Sequence, residues 1–127
     1  MANEADPALL SYQAARSKFE VGDLDEAISL LEVSVAANPH FKTLELLGEA
    51  LLRAGDPKRA IVPLAAATTL NDQVRAPSLL AEALEANGNA IDAHRIALLA
   101  LKRDPNNRKA RSVHDATREA YEKWVRS

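Results

Sequence analysis

Three histidines, His40, His94 and His114, are the side chains here whose ordinary pKa lies near neutrality. They fall in a loop, on an outer helix and on the last helix. No two share the i, i+4 spacing with which one helix face grips a metal. There is no cysteine, hence no thiolate ligand and no disulfide framework. Acidic pairs such as Asp25-Glu26 sit at helix starts, where they complement the positive end of the helix dipole. No serine stands with a base partner in the pattern of an activated nucleophile. The four glycines mark helix packing and helix ends rather than a phosphate loop. No catalytic residue, metal ligand or cofactor is expected, and the chain reads as a non-enzyme.

The elements that carry these residues follow from composition and punctuation. A chain of 127 residues buries roughly two thirds of its unfolded surface, enough for one core. Alanine and leucine dominate, aromatics make up 4%, and strand formers never alternate for long, which predicts an all-α protein. The net charge of -2 with 27% charged residues lacks the basic excess that nucleic acid demands. Met1 to Pro7 shows no leader pattern, and no apolar run approaches the ~20 residues of a membrane span. A cytoplasmic location is expected, with neither nucleic acid nor membrane as a partner.

The sequence repeats. Gly22, Gly55 and Gly88 are spaced by 33, as are Ala27, Ala60 and Ala93, and Pro39, Asp72 and Pro105. Around them stand VGDLDEA, AGDPKRA and NGNAIDA. Each unit reads as helix, tight turn, helix. Glycine supplies the left-handed residue that ends the first helix, and Asp23, Asp56 and Asn89 follow as caps of the second. Pro57 takes the favoured first helical position. Asn38-Pro39 and Asp104-Pro105 stop the second helices. Helices are predicted over 7–21, 24–37, 42–54, 57–70, 75–87, 90–103 and 107–125. Pro63 lies inside the fourth and predicts a bend near Arg59.

This pattern resembles the tetratricopeptide repeat family over residues 8–107. The family's small positions are occupied by Ala15, Gly48 and Ala81, by Ala27, Ala60 and Ala93, and by Ser34, Ala67 and Ala100. Its terminal proline is matched by Pro39 and Pro105, with Asp72 a departure. Another is the period, 33 here against the family's 34. A third is Lys18, where the family has an aromatic. The resemblance implies a right-handed α-solenoid of three units, at about 8–40, 41–73 and 74–106, closed by a capping helix at 107–125. His114 takes the next small position. Ala110, Val113, Thr117, Tyr121 and Trp124 form the stripe that covers the third unit. The first helix has no such cover and is expected to expose Leu9, Leu10 and Ala14.

In the family the first helices of the units line a groove. Carried over residue by residue, the candidate partner-binding groove comprises Tyr12, Arg16, Phe19, Lys42, Glu45, Glu49, Leu52, Arg75, Glu82, Glu85, Arg111 and Asp115. It reads as apolar at the first unit, acidic across the second and third, and basic along one rim formed by Lys42, Arg75 and Arg108. That suits a peptide or helix of a partner protein carrying basic and apolar residues. The same charges also serve a plainer end, solvation and mutual compensation. The carboxylate clamp of chaperone-binding relatives would fall on Tyr12, Arg16, Leu46, Arg75 and Leu79. Only Arg75 fits, so the resemblance does not extend to that subtype.

The expected function is a protein-interaction adaptor or scaffold. The alternatives are a self-assembling module, joined through the uncovered N-terminal face with Trp124 as a bridge, and a regulatory domain of a larger protein. A monomer or weak homo-oligomer is expected. Both a complete small adaptor and a module of a longer chain are compatible with this sequence.

Overall fold

The structure, a computed structural model, describes residues 6–127; the first five residues of the stretch read for a leader lie outside the described residues. Seven helices follow one another: α1 (Pro7–Glu20), α2 (Leu24–Ala37), α3 (Phe41–Arg53), α4 (Pro57–Leu70), α5 (Arg75–Ala86), α6 (Ala90–Arg103) and α7 (Arg108–Arg126). No strand occurs among the described residues. The all-α solenoid expected from the repeat is the architecture found.

Each turn works through its glycine. Gly22, Gly55 and Gly88 have φ of 82°, 83° and 82°, a region in which a side chain would be strained. Asp23 and Asp56 then accept from the backbone N–H groups of Glu26 and Arg59. Asn89 departs from expectation. Its side chain makes no cap hydrogen bond, because its Oδ1 accepts from Asn87 Nδ2 at 2.9 Å instead. Helix α4 runs through Pro63 as one helix, with that ring buried.

The small positions explain how the helices approach. All nine, from Ala15 to Ala100, are buried. Larger side chains could not occupy them at this interhelix separation. Ser34 Oγ uses its place to donate to the Ala8 carbonyl at 2.7 Å, joining α2 to α1. One core runs through the pairs, with Leu31, Leu47, Leu64, Leu79 and Leu84 among its members. Where the family proline is missing, at Asp72, another device closes α4: Arg103 of α6 donates to the carbonyls of Thr68, Asn71 and Gln73.

Helix α7 covers the last pair as expected, burying Ala110, Val113 and Thr117. Leu9 and Leu10 are 50% and 52% exposed, and Ala14 is exposed, as the uncovered first helix requires.

Candidate functional site

Helices α1, α3, α5 and α7 stand in a row, each in contact with the next. A cavity of about 400 Å³ opens where α1, α3 and the start of α5 meet. Seven of the twelve predicted groove residues line it: Tyr12, Arg16, Phe19, Lys42, Glu45, Glu49 and Arg75. A second cavity of about 280 Å³ shares Tyr12 and Lys42 with the first and continues past Leu9 and Thr43 toward Ser34. At the unit-one end Tyr12 and Phe19 are half-buried, beside the charged Arg16 and Glu20. Phe41, the first residue of α3, adds an aromatic wall that the register of groove positions did not include.

The other five predicted residues lie elsewhere. Leu52 packs against the core. Glu82 belongs to the charge row described below, and Glu85 is exposed. Arg111 lines an open cleft with Arg108 and the 105–107 loop. Asp115 accepts from His114 Nδ1 at 3.0 Å and pairs with Arg118 at 3.2 Å.

The acidic floor needs a correction. It is not an unpaired acidic surface, because Arg75 of α5, Arg53 of α3 itself and Lys109 of α7 contact three of its four carboxylates, Glu45, Glu49 and Glu82. Arg75 Nε lies 3.2 Å from Glu45 Oε1, and the same guanidinium hydrogen-bonds Glu49. Arg53 bridges Glu49 at 3.6 Å and Glu82 at 3.2 Å. Lys109 of α7 holds Glu82 at 2.7 Å. The carboxylates and cations therefore alternate along the groove from α5 through α3 and back to α7. The basic rim is not a free row either: Arg75 turns onto the carboxylates, and Arg108 lines the cleft at the 105–107 loop.

Compensation is uneven along this row. The side chains of Glu45 and Glu49 are each only 12% exposed. Glu45 Oε2 is buried and has no hydrogen-bond partner, alone in this among the side chains described. Burial pushes the Glu45 carboxyl up, helped by the charge of Glu49, and Arg75 only partly offsets it. At Glu82 burial pulls the same way, but Lys109 and Arg53 outweigh it and hold the carboxyl below its usual value.

Two of the three histidines, treated as unrelated in the sequence, meet. The His94 and His114 rings stack with centroids 4.6 Å apart. They lie on different helices, so no spacing within one helix could announce them. Among the described residues no group of histidine and carboxylate side chains has the arrangement of a metal site.

No protein-family model and no curated protein matches the chain. Solved structures do. The first TPR of Spaghetti (RPAP3), bound to the HSP90 peptide SRMEEVD, superposes with a TM-score of 0.84 at 23% identity, over 92% of this chain and 94% of that one. The second TPR domain of human RPAP3, in complex with the HSP70 peptide SGPTIEEVD, gives 0.83 at 18% identity, over 88% and 95%. The Yersinia enterocolitica type III secretion chaperone SycD, in complex with a peptide of the translocator YopD, gives 0.81 at 17% identity, over 92% and 96%. The chain thus has the fold of a tetratricopeptide-repeat domain.

Proposed function

We propose that this chain is an adaptor that holds a short peptide or helix of another protein in the groove of α1, α3, α5 and α7, and that it catalyses no reaction. The observation that carries this is the aromatic cavity of about 400 Å³ bounded by Tyr12, Phe19 and Phe41 and floored by Glu45 and Glu49. The peptides held by structures of the same fold support the reading. We take residues 1–127 as one repeat domain, with units at about 8–40, 41–73 and 74–106 and a cap at 107–125, acting in the cytoplasm. No helix among the described residues is long and apolar enough to cross a membrane.

The partner we favour carries a basic residue flanked by apolar ones. Its cation would replace Arg75 on Glu45, with its aliphatic stem against the aromatic walls. The peptides SRMEEVD and SGPTIEEVD are acidic and do not suit this floor. Of the clamp positions, Leu79 is buried, Leu46 is apolar and Arg75 is already paired.

A displayed random-peptide library, followed by calorimetric titration of the selected peptides, tests the reading. Selected peptides should be rich in arginine or lysine beside apolar residues. Tyr12→Ala should weaken them on the order of tenfold, as loss of an aromatic contact does, and Glu85→Gln should leave them unchanged. Peptides that bind Tyr12→Ala as tightly as the wild type would place the site outside the groove. Self-association through the half-exposed Leu9 and Leu10 is the second reading. Light scattering that shows a monomer at every concentration removes it.

A further inference from the structure

Three residues on one stripe of α7, His114, Thr117 and Tyr121, meet a single ring of α6. The His94 centroid stands 4.6 Å from that of His114 and 4.3 Å from that of Tyr121, with interplanar angles of 29° and 18°. Seven residues of helix separate His114 from Tyr121, about 10 Å along the axis, so the His94 ring fills the space between them. Thr117 lies on the intervening turn with Oγ1 3.0 Å from His94 Nδ1. That hydroxyl donates its one proton to the Val113 carbonyl at 2.7 Å. Toward His94 it therefore accepts, and Nδ1 carries hydrogen, as it does in the neutral Nδ1–H tautomer and in the cation alike. Burial, rather than this bond, is what favours the neutral ring, against a hydrogen bond to the His114 backbone that favours the cation.

A further proton would enter a side chain that is 4% exposed and stacked on a second imidazole. The surrounding charges do little to help it. On α7, Arg118 opposes a cation at His94 and Glu122 favours one, but Glu122 is exposed. Asp115 is engaged with His114 and Arg118. On α5, the other neighbour of α6, Glu82 is engaged with Arg53 and Lys109, and Glu85 is exposed. Asp92 and Arg95 of α6 itself are exposed. Burial, and then the charge of His114, hold His94 below its ordinary value.

We propose that the His94–His114 seam is a proton-sensitive latch: acid releases α7 from α6, and the C-terminal wall of the groove leaves with it. Lys109 of α7 ends the charge row at Glu82, so the groove loses a cation when α7 lifts. The released ring binds a proton that the docked ring refuses. Release is therefore favoured as pH falls from the ordinary histidine value of 6.5 toward the depressed docked value, and the latch is fully closed above that window. This inference does not depend on the identity, or the existence, of a peptide ligand.

Amide hydrogen exchange of the whole chain, corrected for intrinsic rates and read at about pH 7.5 and pH 5.5 on either side of the histidine range, tests it. Protection over 113–121 should fall measurably at the lower pH, with about tenfold the ceiling set by one group that titrates at 6.5 when released and takes no proton when docked, and with α3 and α4 little changed. In His94→Phe, which keeps a ring but cannot titrate, the ratio between the two pH values should return to one. His94→Gln serves the same purpose if the phenylalanine variant does not fold. Equal protection of α7 at both pH values overturns the latch. So does a loss spread evenly over all seven helices, or an unchanged ratio in the non-titrating variant.

Discussion

Leu64 of α4 lies against the bare Cα of Gly48 on α3. A Cβ added at Gly48 would fall inside contact distance of Leu64 Cγ and Cδ2 and 3.0 Å from Cδ1. Two effects compete in Gly48→Ala. Alanine gains about 1 kcal/mol of helix propensity, while overpacking costs about 1–3 kcal/mol. Leu64 is wholly buried and the clash is at its branch carbon, so overpacking should win. The variant is expected to be less stable by up to about 2 kcal/mol, the overpacking cost less the propensity gain, read as a lowered urea midpoint with unchanged m-value. A gain in stability would mean that Leu64 moves aside freely.

Arg103 should matter more than its surface position suggests. Its guanidinium donates to Thr68, Asn71 and Gln73 carbonyls at 3.1, 3.2 and 2.9 Å. Arg103→Ala is expected to cost about 1–3 kcal/mol, the range for hydrogen bonds to a charged donor whose partners are left behind. Arg103→Lys should recover only part of this, because an ammonium cannot reproduce the planar fork. Chemical denaturation of the three proteins decides it; equal stability of the lysine and arginine forms would show that charge alone closes α4.

Glu45 and Glu82 should respond oppositely to neutralisation. The Glu45 carboxyl is raised, so its ionised form opposes folding at neutral pH. Glu45→Gln is expected to equal or exceed the wild type at pH 7, and the difference should vanish as pH falls through the raised value. The Glu82 carboxyl is lowered. Its contribution is present above the usual carboxylate value and lost as pH falls through the lowered one. Glu82→Gln should cost on the order of 1 kcal/mol at pH 7 and less in acid. Urea midpoints across the acidic range check both signs, and matching behaviour in the two variants would contradict the pairing described.

Asn89 offers a gain. Asp23 and Asp56 cap the corresponding helices, whereas Asn89 is turned toward Asn87. Asn89→Asp should raise stability by about 0.5 kcal/mol through the cap and the helix dipole. A thermal midpoint no higher than the wild type would show that the 87–89 hydrogen bond already offsets it.

These residues also show what the sequence could convey. Helix bounds fell within about one residue of the structure because glycine, aspartate and proline act locally, on φ and on the first free N–H groups. Tyr12, Phe19 and Glu45, which the register puts on one face, line one cavity. The charge row did not follow from the register, because Arg53 and Lys109 reach carboxylates on other helices, and a register assigns positions one helix at a time. Arg103 and the His94–His114 pair were hidden for the same reason. Each joins residues about twenty to thirty-five positions apart, and nothing within one helix period marks them.

The seam between α6 and α7 also bears on how the chain finds its own register. Near-identical helix pairs risk docking on the wrong neighbour while folding. At the position that is His94 in the third unit, the first two have Ile28 and Ile61; opposite it in register, Gly48 and Ala81 stand where α7 has His114. An α7 that settled on an earlier pair would press His114 against isoleucine and leave no imidazole to meet Thr117. The polar seam thus works as an address, and one stacked pair of rings, His94 buried and His114 partly so, makes the last junction unlike the two before it.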